Sequence, residues 1–293
     1  MNNLLRHSYS FLLYGNIFVS AAAASLMFIN LHLLNVDGQN WELSSFVFFS
    51  TLLAYNFQRI VRVRSIEISP TSKRLNWIKS NIHFLNVVNI ICVFSILGIL
   101  ITLPIKTLWI LIPFGLISAW YVLGFKKIPA LRTISFLKIF IISTSWSAIT
   151  YGLPWYISSS ENLIELVLSL ITITSFVFFQ TLPFDIRDRQ LDYNLGIRTI
   201  AQSIGLKKSK TLTLVGFTSV CFFTIIGIFA EVIPTKMSYY AFACLLAFPV
   251  VIKISPDSKD VFYSLVVESI LFFPFIFYII DELILLYTSF SPY

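Results

Sequence analysis

The chain has 293 residues, of which 57% are hydrophobic and only 12% are charged, and its mean hydropathy is +0.83. A soluble domain usually carries roughly 25% charged residues, so this composition excludes an ordinary soluble protein and indicates a multi-pass membrane protein. The net charge of +7 does not require a nucleic-acid partner, because basic loops beside anionic membrane lipid explain it.

Apolar segments long enough to cross a bilayer recur along the whole chain. A spanning helix needs about 20 apolar residues, and these segments do not show the alternating pattern of barrel strands. We therefore predict an all-α integral membrane protein with about nine transmembrane helices. The predicted spans are 9–34, 42–60, 82–103, 107–124, 134–153, 162–183, 211–231, 237–254 and 261–285.

The predicted spans leave no room for a separate soluble domain, so we interpret residues 1–293 as a single polytopic membrane domain. Polar clusters end the second and the sixth predicted spans, which are four helices apart. This spacing is consistent with two four-helix halves, 9–124 and 134–254, followed by a ninth helix at 261–285.

The basic residues predict the orientation in the membrane. If the N-terminus is cytoplasmic, 19 of the 21 Lys and Arg residues fall on the cytoplasmic side, and only Lys106 and Lys236 fall outside. The positive-inside rule therefore predicts a cell (inner) membrane protein with a cytoplasmic N-terminus. The loops after spans two, four and six carry 16 of these charges, and such a basic mouth would attract an anionic ligand.

Three carboxylates, Asp185, Asp188 and Asp192, follow the sixth predicted span at spacings of three and four. On a helix these positions share one face, and like charges at such spacings need a compensating positive charge. A local ion pair between Asp185 and Arg189 would supply it in an ordinary solvated loop. A Mg²⁺ ion would also supply it, since Mg²⁺ takes one or two carboxylates together with water and a substrate phosphate.

The segment RDRQLDYNLGIRTIAQSIG resembles the second aspartate motif of the UbiA superfamily of intramembrane prenyltransferases, which reads approximately R-D-x-x-x-D-x-x-x-G-x-R/K-T-L/I-A-x-x-x-G. The segment WYVLGFKKIPALRTI is similar to the family's stretch after its fourth helix. The helix count and the loop positions agree as well, so the resemblance covers essentially the whole chain. The residues that match the aspartate motif are Arg187, Asp188, Asp192, Gly196, Arg198, Thr199, Ala201 and Gly205.

The resemblance implies helices around a central cavity that opens at the cytoplasmic face and toward membrane lipid. It also implies transfer of a prenyl group from a prenyl diphosphate to an aromatic or other lipophilic acceptor, with Mg²⁺ on the diphosphate. Asp188 and Asp192 would be catalytic, and both would hold Mg²⁺ together with Asp185. We predict substrate binding by the residues that match the motifs, Asn56, Arg187 and Arg198, and by basic residues of the loops that flank the carboxylates, Arg59, Arg62, Lys126, Lys127 and Arg132.

The family's first aspartate motif, approximately N-D-x-x-D-x-x-x-D, is degenerate in this chain. Asn56 matches, but the acidic positions fall on Phe57, Ile60 and Arg64. The segment carries three basic residues instead, namely Arg59, Arg62 and Arg64. Because guanidinium groups bind phosphate directly, we expect arginine to replace one metal and a single Mg²⁺ to remain near Asp188.

Loss of the first motif leaves two other functions open. The chain could be a non-catalytic isoprenoid- or quinone-binding membrane protein derived from the same fold, or a small-molecule transporter, a class in which internal repeats are common. A transporter is expected to place ionisable groups near the bilayer midplane, whereas Glu268 is the only acidic residue well inside a predicted span. An ionisable residue inside a span is a functional candidate by default, but for Glu268 the interpretation that we favour is a hydrogen bond to a neighbouring helix. The charged residues are concentrated at one face of the membrane, which favours a prenyltransferase over a transporter.

Overall fold

The computed structural model describes residues 10–38, 40–64, 73–124, 129–255 and 257–290. Within these ranges the chain forms helices, turns and irregular connections, and no strand is present. The all-α class predicted from the composition is therefore confirmed.

The first part of the described chain consists of closely spaced helices. They are α1 (Ile17–Leu33), α2 (Asn40–Arg64), α3 (Lys73–Ser80), α4 (Ile82–Thr102) and α5 (Ile105–Val122). A 3₁₀ turn, Leu131–Thr133, then leads into a helix that is interrupted near its middle. This helix consists of α6 (Leu137–Ser147), the π-helical turn Ala148–Gly152 and α7 (Leu153–Ser158).

The second part of the described chain contains five further α-helices. They are α8 (Leu163–Arg187), the short α9 (Arg189–Asn194), α10 (Ile200–Phe229), α11 (Ser238–Ile252) and α12 (Phe273–Phe290). Shorter turns join α10 to α11 and α11 to α12. They are the 3₁₀ turn Thr235–Met237, the π-helical turn Phe262–Val267 and the 3₁₀ turn Glu268–Phe272.

Helical structure lies at each predicted span, and the described chain contains six helical segments that are long and apolar enough to cross a membrane. The chain is therefore a multi-pass membrane protein. Helix α1 is apolar but has only 17 residues, and neither α2 nor the interrupted α6–α7 stretch is among the six, so the count of nine spans stays a prediction. The six segments are Ile82–Thr102, Ile105–Val122, Leu163–Arg187, Ile200–Phe229, Thr235–Ile252 and Phe262–Ser289.

The main apolar core lies where α1, α8, α10 and α11 pack together. Phe176, Phe217 and Tyr240 are fully buried there, and Ala22 and Ala23 of α1 are almost fully buried as well. Small residues such as these let helix backbones approach closely in a membrane. By contrast, α4 and α5 expose large apolar side chains over much of their length, as expected for surfaces that face lipid.

The end of α8 holds the three aspartates in a different arrangement from that of a continuous helix. Pro183 lies inside α8 and cannot donate the usual backbone hydrogen bond. Asp188 then separates α8 from α9, with φ of −88° and ψ of 5°. The helix expected across Asp185–Asp192 is therefore broken at Asp188. Beyond α9, Thr199 begins α10 with a capping box in which its side chain and that of Gln202 bond each other's backbone N–H groups.

Candidate active site

A cavity of about 240 Å³ lies between the ends of α2 and α8 and is bordered by α3 and α6. The described residues that line it include six basic side chains and four carboxyl groups. The basic residues are Arg59, Arg62, Arg74, Arg132, Lys138 and Arg187, and the acidic residues are Asp185, Asp188, Asp192 and Glu268. The lining is therefore both highly charged and positive on balance.

Asp188 is the centre of a cluster of guanidinium groups that come from three helices. Arg187 Nε donates to its Oδ1 at 2.8 Å, and Arg74 Nη2 donates to the same oxygen at 3.0 Å. Arg62 Nη1 donates to Oδ2 at 3.3 Å. Burial acts to raise the pKa of Asp188, but Arg187, Arg74 and Arg62 outweigh burial and hold this pKa well below its usual value. Asp188 is therefore ionised at ordinary pH.

Lys138 joins the other two aspartates. Its Nζ lies 2.7 Å from Asp185 Oδ1 and 2.7 Å from Asp192 Oδ2. Arg62 Nη2 lies 2.6 Å from the other oxygen of Asp192, so Arg62 connects Asp192 to Asp188. Three carboxylates and four cations thus form one continuous arrangement, which we call the ion network. Its members are Asp185, Asp188, Asp192, Arg62, Arg74, Lys138 and Arg187.

Two further arginines of the cavity bond to backbone carbonyl groups. Arg59 Nη1 donates to the carbonyl oxygen of Tyr14 at 3.1 Å, and Arg132 Nη1 donates to that of Gln58 at 3.3 Å. Neither arginine forms an ion pair with a carboxylate within the described ranges. Their charges are held in place without a direct counter-ion, which leaves them available to an anionic ligand.

Most of the rest of the cavity wall is apolar or aromatic, and Gln58, Thr133, Gln180 and Thr181 add uncharged polar side chains. The side chains in this part include Val19, Tyr55, Tyr121, Trp146, Val177, Phe184 and Leu271. The Arg187 guanidinium carbon lies 4.8 Å from the centroid of the Phe184 ring, so the charged and aromatic parts of the wall are in direct contact. A cavity with one basic region and one apolar region suits a ligand that has an anionic head and a hydrocarbon chain.

Solved structures with the same architecture cover nearly the whole chain. A structure of digeranylgeranylglyceryl phosphate synthase matches with a TM-score of 0.54 at 14% identity, over 93% of this chain and 97% of that chain. A UbiA homologue from Archaeoglobus fulgidus matches with a TM-score of 0.51 at 8% identity, over 90% of this chain and 95% of that chain. The chain has the UbiA fold.

A structure of a UbiA homologue from Archaeoglobus fulgidus bound to GPP and Mg²⁺ matches with a TM-score of 0.50 at 10% identity, over 91% of this chain and 98% of that chain. No protein-family model and no curated protein sequence matches the chain. The resemblance of the second aspartate motif predicted the UbiA fold, and the similarity to these solved structures confirms that fold.

The UbiA fold of this chain brings most of the predicted site residues into one cavity. Those residues are Arg59, Arg62, Arg132, Asp185, Arg187, Asp188 and Asp192. Arg198 is exposed and is not part of the cavity wall; its backbone N–H donates to Ser135 Oγ at 3.2 Å. Asn56 is fully buried outside the cavity wall and accepts a hydrogen bond from Asn16 Nδ2 at 2.7 Å. Its place in the structure is that of a helix-packing residue.

Three other sequence-based expectations have different outcomes. Lys126 and Lys127 lie outside the described residues, so their part in the site stays a prediction. The local ion pair between Asp185 and Arg189 does not form, because Asp185 pairs with Lys138 and Arg189 is exposed.

Sequence reasoning missed two basic residues of the cavity, Lys138 and Arg74. Lys138 lies inside the predicted span 134–153, and an ionisable residue there is a signal of function that could have marked it. Glu268 is only 6% exposed and lines the cavity, whereas the sequence favoured a hydrogen bond to a neighbouring helix over a functional role. Arg74 follows a polar stretch of sequence, and nothing in its local sequence distinguishes it from other basic residues.

The three aspartates do not fit a resident Mg²⁺ ion. Mg²⁺ requires nearly octahedral oxygen ligands at roughly 2.0–2.1 Å, but both oxygens of Asp188 and of Asp192, and Oδ1 of Asp185, are already bonded to charged donors. Within the described part of the chain, no group of three or more His, Cys, Asp or Glu side chains is placed to hold a metal ion. The Mg²⁺ assignment therefore stays a prediction that the contacts of these carboxylates do not support.

Proposed function

We propose that this chain transfers a prenyl group from a prenyl diphosphate to a lipophilic acceptor. The observation that carries the proposal is a single cavity that joins six cations to an apolar and aromatic wall. The cations suit a diphosphate, and the apolar wall suits the prenyl chain. The binding of GPP by a neighbour with the same fold supports this ligand class.

In the proposed reaction, the bond between the first carbon of the prenyl group and the diphosphate oxygen breaks, and both electrons leave with the diphosphate. Arg59 and Arg132 lie where they can compensate the charge that develops on this leaving group. The rings of Tyr55 and Tyr121 in the cavity wall offer π-electron density to the allylic cation that forms. The acceptor then bonds to the first carbon and releases a proton to water, which balances the reaction.

Arg132→Gln is expected to raise the KM for geranyl diphosphate by about tenfold, because a hydrogen bond from a charged donor to the ligand is lost. Its fold should be retained, since Arg132 is not paired with a carboxylate. The measurement is diphosphate release by the purified protein with a panel of prenyl diphosphates and lipophilic acceptors. Arg189→Gln, which changes an exposed arginine outside the cavity, is the matched control.

The same assay separates the proposed enzyme from its main alternative. Saturable binding of geranyl diphosphate without turnover for any acceptor would instead identify a non-catalytic isoprenoid-binding protein. The saturation of the aspartates by protein cations is the observation that favours this second function. Absence of both binding and turnover would contradict both functions.

We also infer that the N-terminus and the cavity lie at the cytoplasmic face of the cell (inner) membrane, because the basic residues are concentrated on that side. A Cys substituted for Lys208, near the start of α10, is expected to react with an impermeant thiol reagent only after cells are permeabilised. A Cys substituted for Lys236, beyond the other end of α10, should react in intact cells. The native cysteines are buried and provide a low background. The opposite labelling pattern would show that the cavity faces the other side of the membrane.

A further inference from the structure

Two nitrogen atoms of the ion network are buried donors without a hydrogen-bond acceptor among the described residues. They are Arg187 Nη1 and Arg74 Nε. The side chains of Arg187 and Arg74 are only 10% and 6% exposed, and both residues line the cavity. Because an unsatisfied charged donor is costly to bury, these atoms indicate that an anion with several oxygens belongs in the cavity.

The positions between the carboxylates are taken by cations of the protein itself. Lys138 Nζ is equally distant, at 2.7 Å, from Asp185 and Asp192, which is where a divalent ion shared by these two residues would be expected. A metal entering there would displace a side chain that is only 17% exposed and would leave its charge next to the metal charge. Separation of a buried ion pair in this way is strongly unfavourable.

We propose that the four cations of the ion network take the place of a divalent metal, so that this chain binds a prenyl diphosphate without Mg²⁺. The inference rests on the proposed function and specifies how the same cavity holds the diphosphate. In this arrangement the aspartates orient the cations and do not ligate a metal. Arginine is suited to the task, because its planar fork donates two parallel hydrogen bonds to phosphate oxygens.

The direct test is the affinity of the full-length wild-type protein for geranyl diphosphate, measured by calorimetry in detergent with EDTA and with excess Mg²⁺. We expect the two dissociation constants to agree within about threefold. Binding that appears only with Mg²⁺ would overturn this inference and keep the prenyl diphosphate as ligand. Absence of binding under both conditions would overturn the inference together with the proposed function.

Two variants test the same inference through the side chains. Arg74→Gln and Arg187→Gln are each expected to raise the dissociation constant in EDTA by about tenfold, because each removes a charged donor to the diphosphate. The control Arg189→Gln should leave it unchanged. Unchanged affinity in both cavity variants would overturn the inference. If either variant does not fold, the comparison of the wild-type protein with and without Mg²⁺ still decides the question.

Discussion

Lys138→Met is expected to weaken the binding of geranyl diphosphate by about a hundredfold, because truncation of one partner in a buried charge pair typically costs several kcal/mol. Lys138 is the shared counter-ion of Asp185 and Asp192, and both of these residues are only 2% exposed. Without it, Asp185 keeps no ion pair within the described ranges, and the cavity loses one of the cations that would face the diphosphate. Met has a similar length, so the variant tests the charge more than the packing.

A double variant separates the effect on the ligand from the effect on the fold. Adding Asp185→Asn to Lys138→Met removes the carboxylate that lost its partner, so the melting temperature in detergent should recover while the affinity for geranyl diphosphate stays low. Lys259→Met, at an exposed position, is the control for loss of one positive charge. Recovery of both stability and affinity in the double variant would show that Lys138 only stabilises the fold and does not bind the ligand.

Asp188→Asn is expected to lower the melting temperature in detergent by about 10 °C, since loss of one partner from a buried ion pair costs about 3–5 kcal/mol. Three guanidinium groups, from Arg62, Arg74 and Arg187, share this carboxylate. Replacing it by a neutral amide leaves three neighbouring positive charges without their common counter-ion. Thermal unfolding of the two purified proteins in the same detergent measures the effect.

The stabilisation by Asp188 should depend on pH in a defined direction. The neighbouring arginines hold the pKa of Asp188 well below its usual value in the folded chain. Its contribution is therefore fully present above the unfolded pKa of about 3.9 and is lost as the pH falls through the lower folded pKa. The difference in melting temperature between the wild type and Asp188→Asn should be constant near neutral pH and should narrow below about pH 4. A difference that grows on acidification would contradict this role.

The fold class was predictable from the sequence because each membrane-crossing helix must be apolar over its own length, which is a local property. The gathering of Asp185, Asp188 and Asp192 was predictable for the same reason, since they are neighbours along the chain. The break at Asp188 was not expected, yet it leaves the carboxylates close enough to share Arg62 and Lys138.

The cations that complete the site could not be predicted from local sequence. Arg74 is 114 residues from Asp188, and Lys138 is 54 residues from Asp192, so only the packing of α3 and α6 against the end of α8 brings them together. Arg198 shows the opposite case. It fits the aspartate motif, but the chain turns at Gly196, where φ is +70°, and Arg198 is exposed.

The ion network takes its members from α2, α3, α6 and the junction of α8 with α9. Each helix keeps its backbone hydrogen bonds within itself, so a detergent that loosens the contacts between helices can separate the charges without unwinding any helix. Circular dichroism would then show the full helical content of the protein, although the cavity would no longer be assembled. Whether a purified sample of this chain is intact therefore depends on how its helices pack together. Helical content alone does not measure that packing.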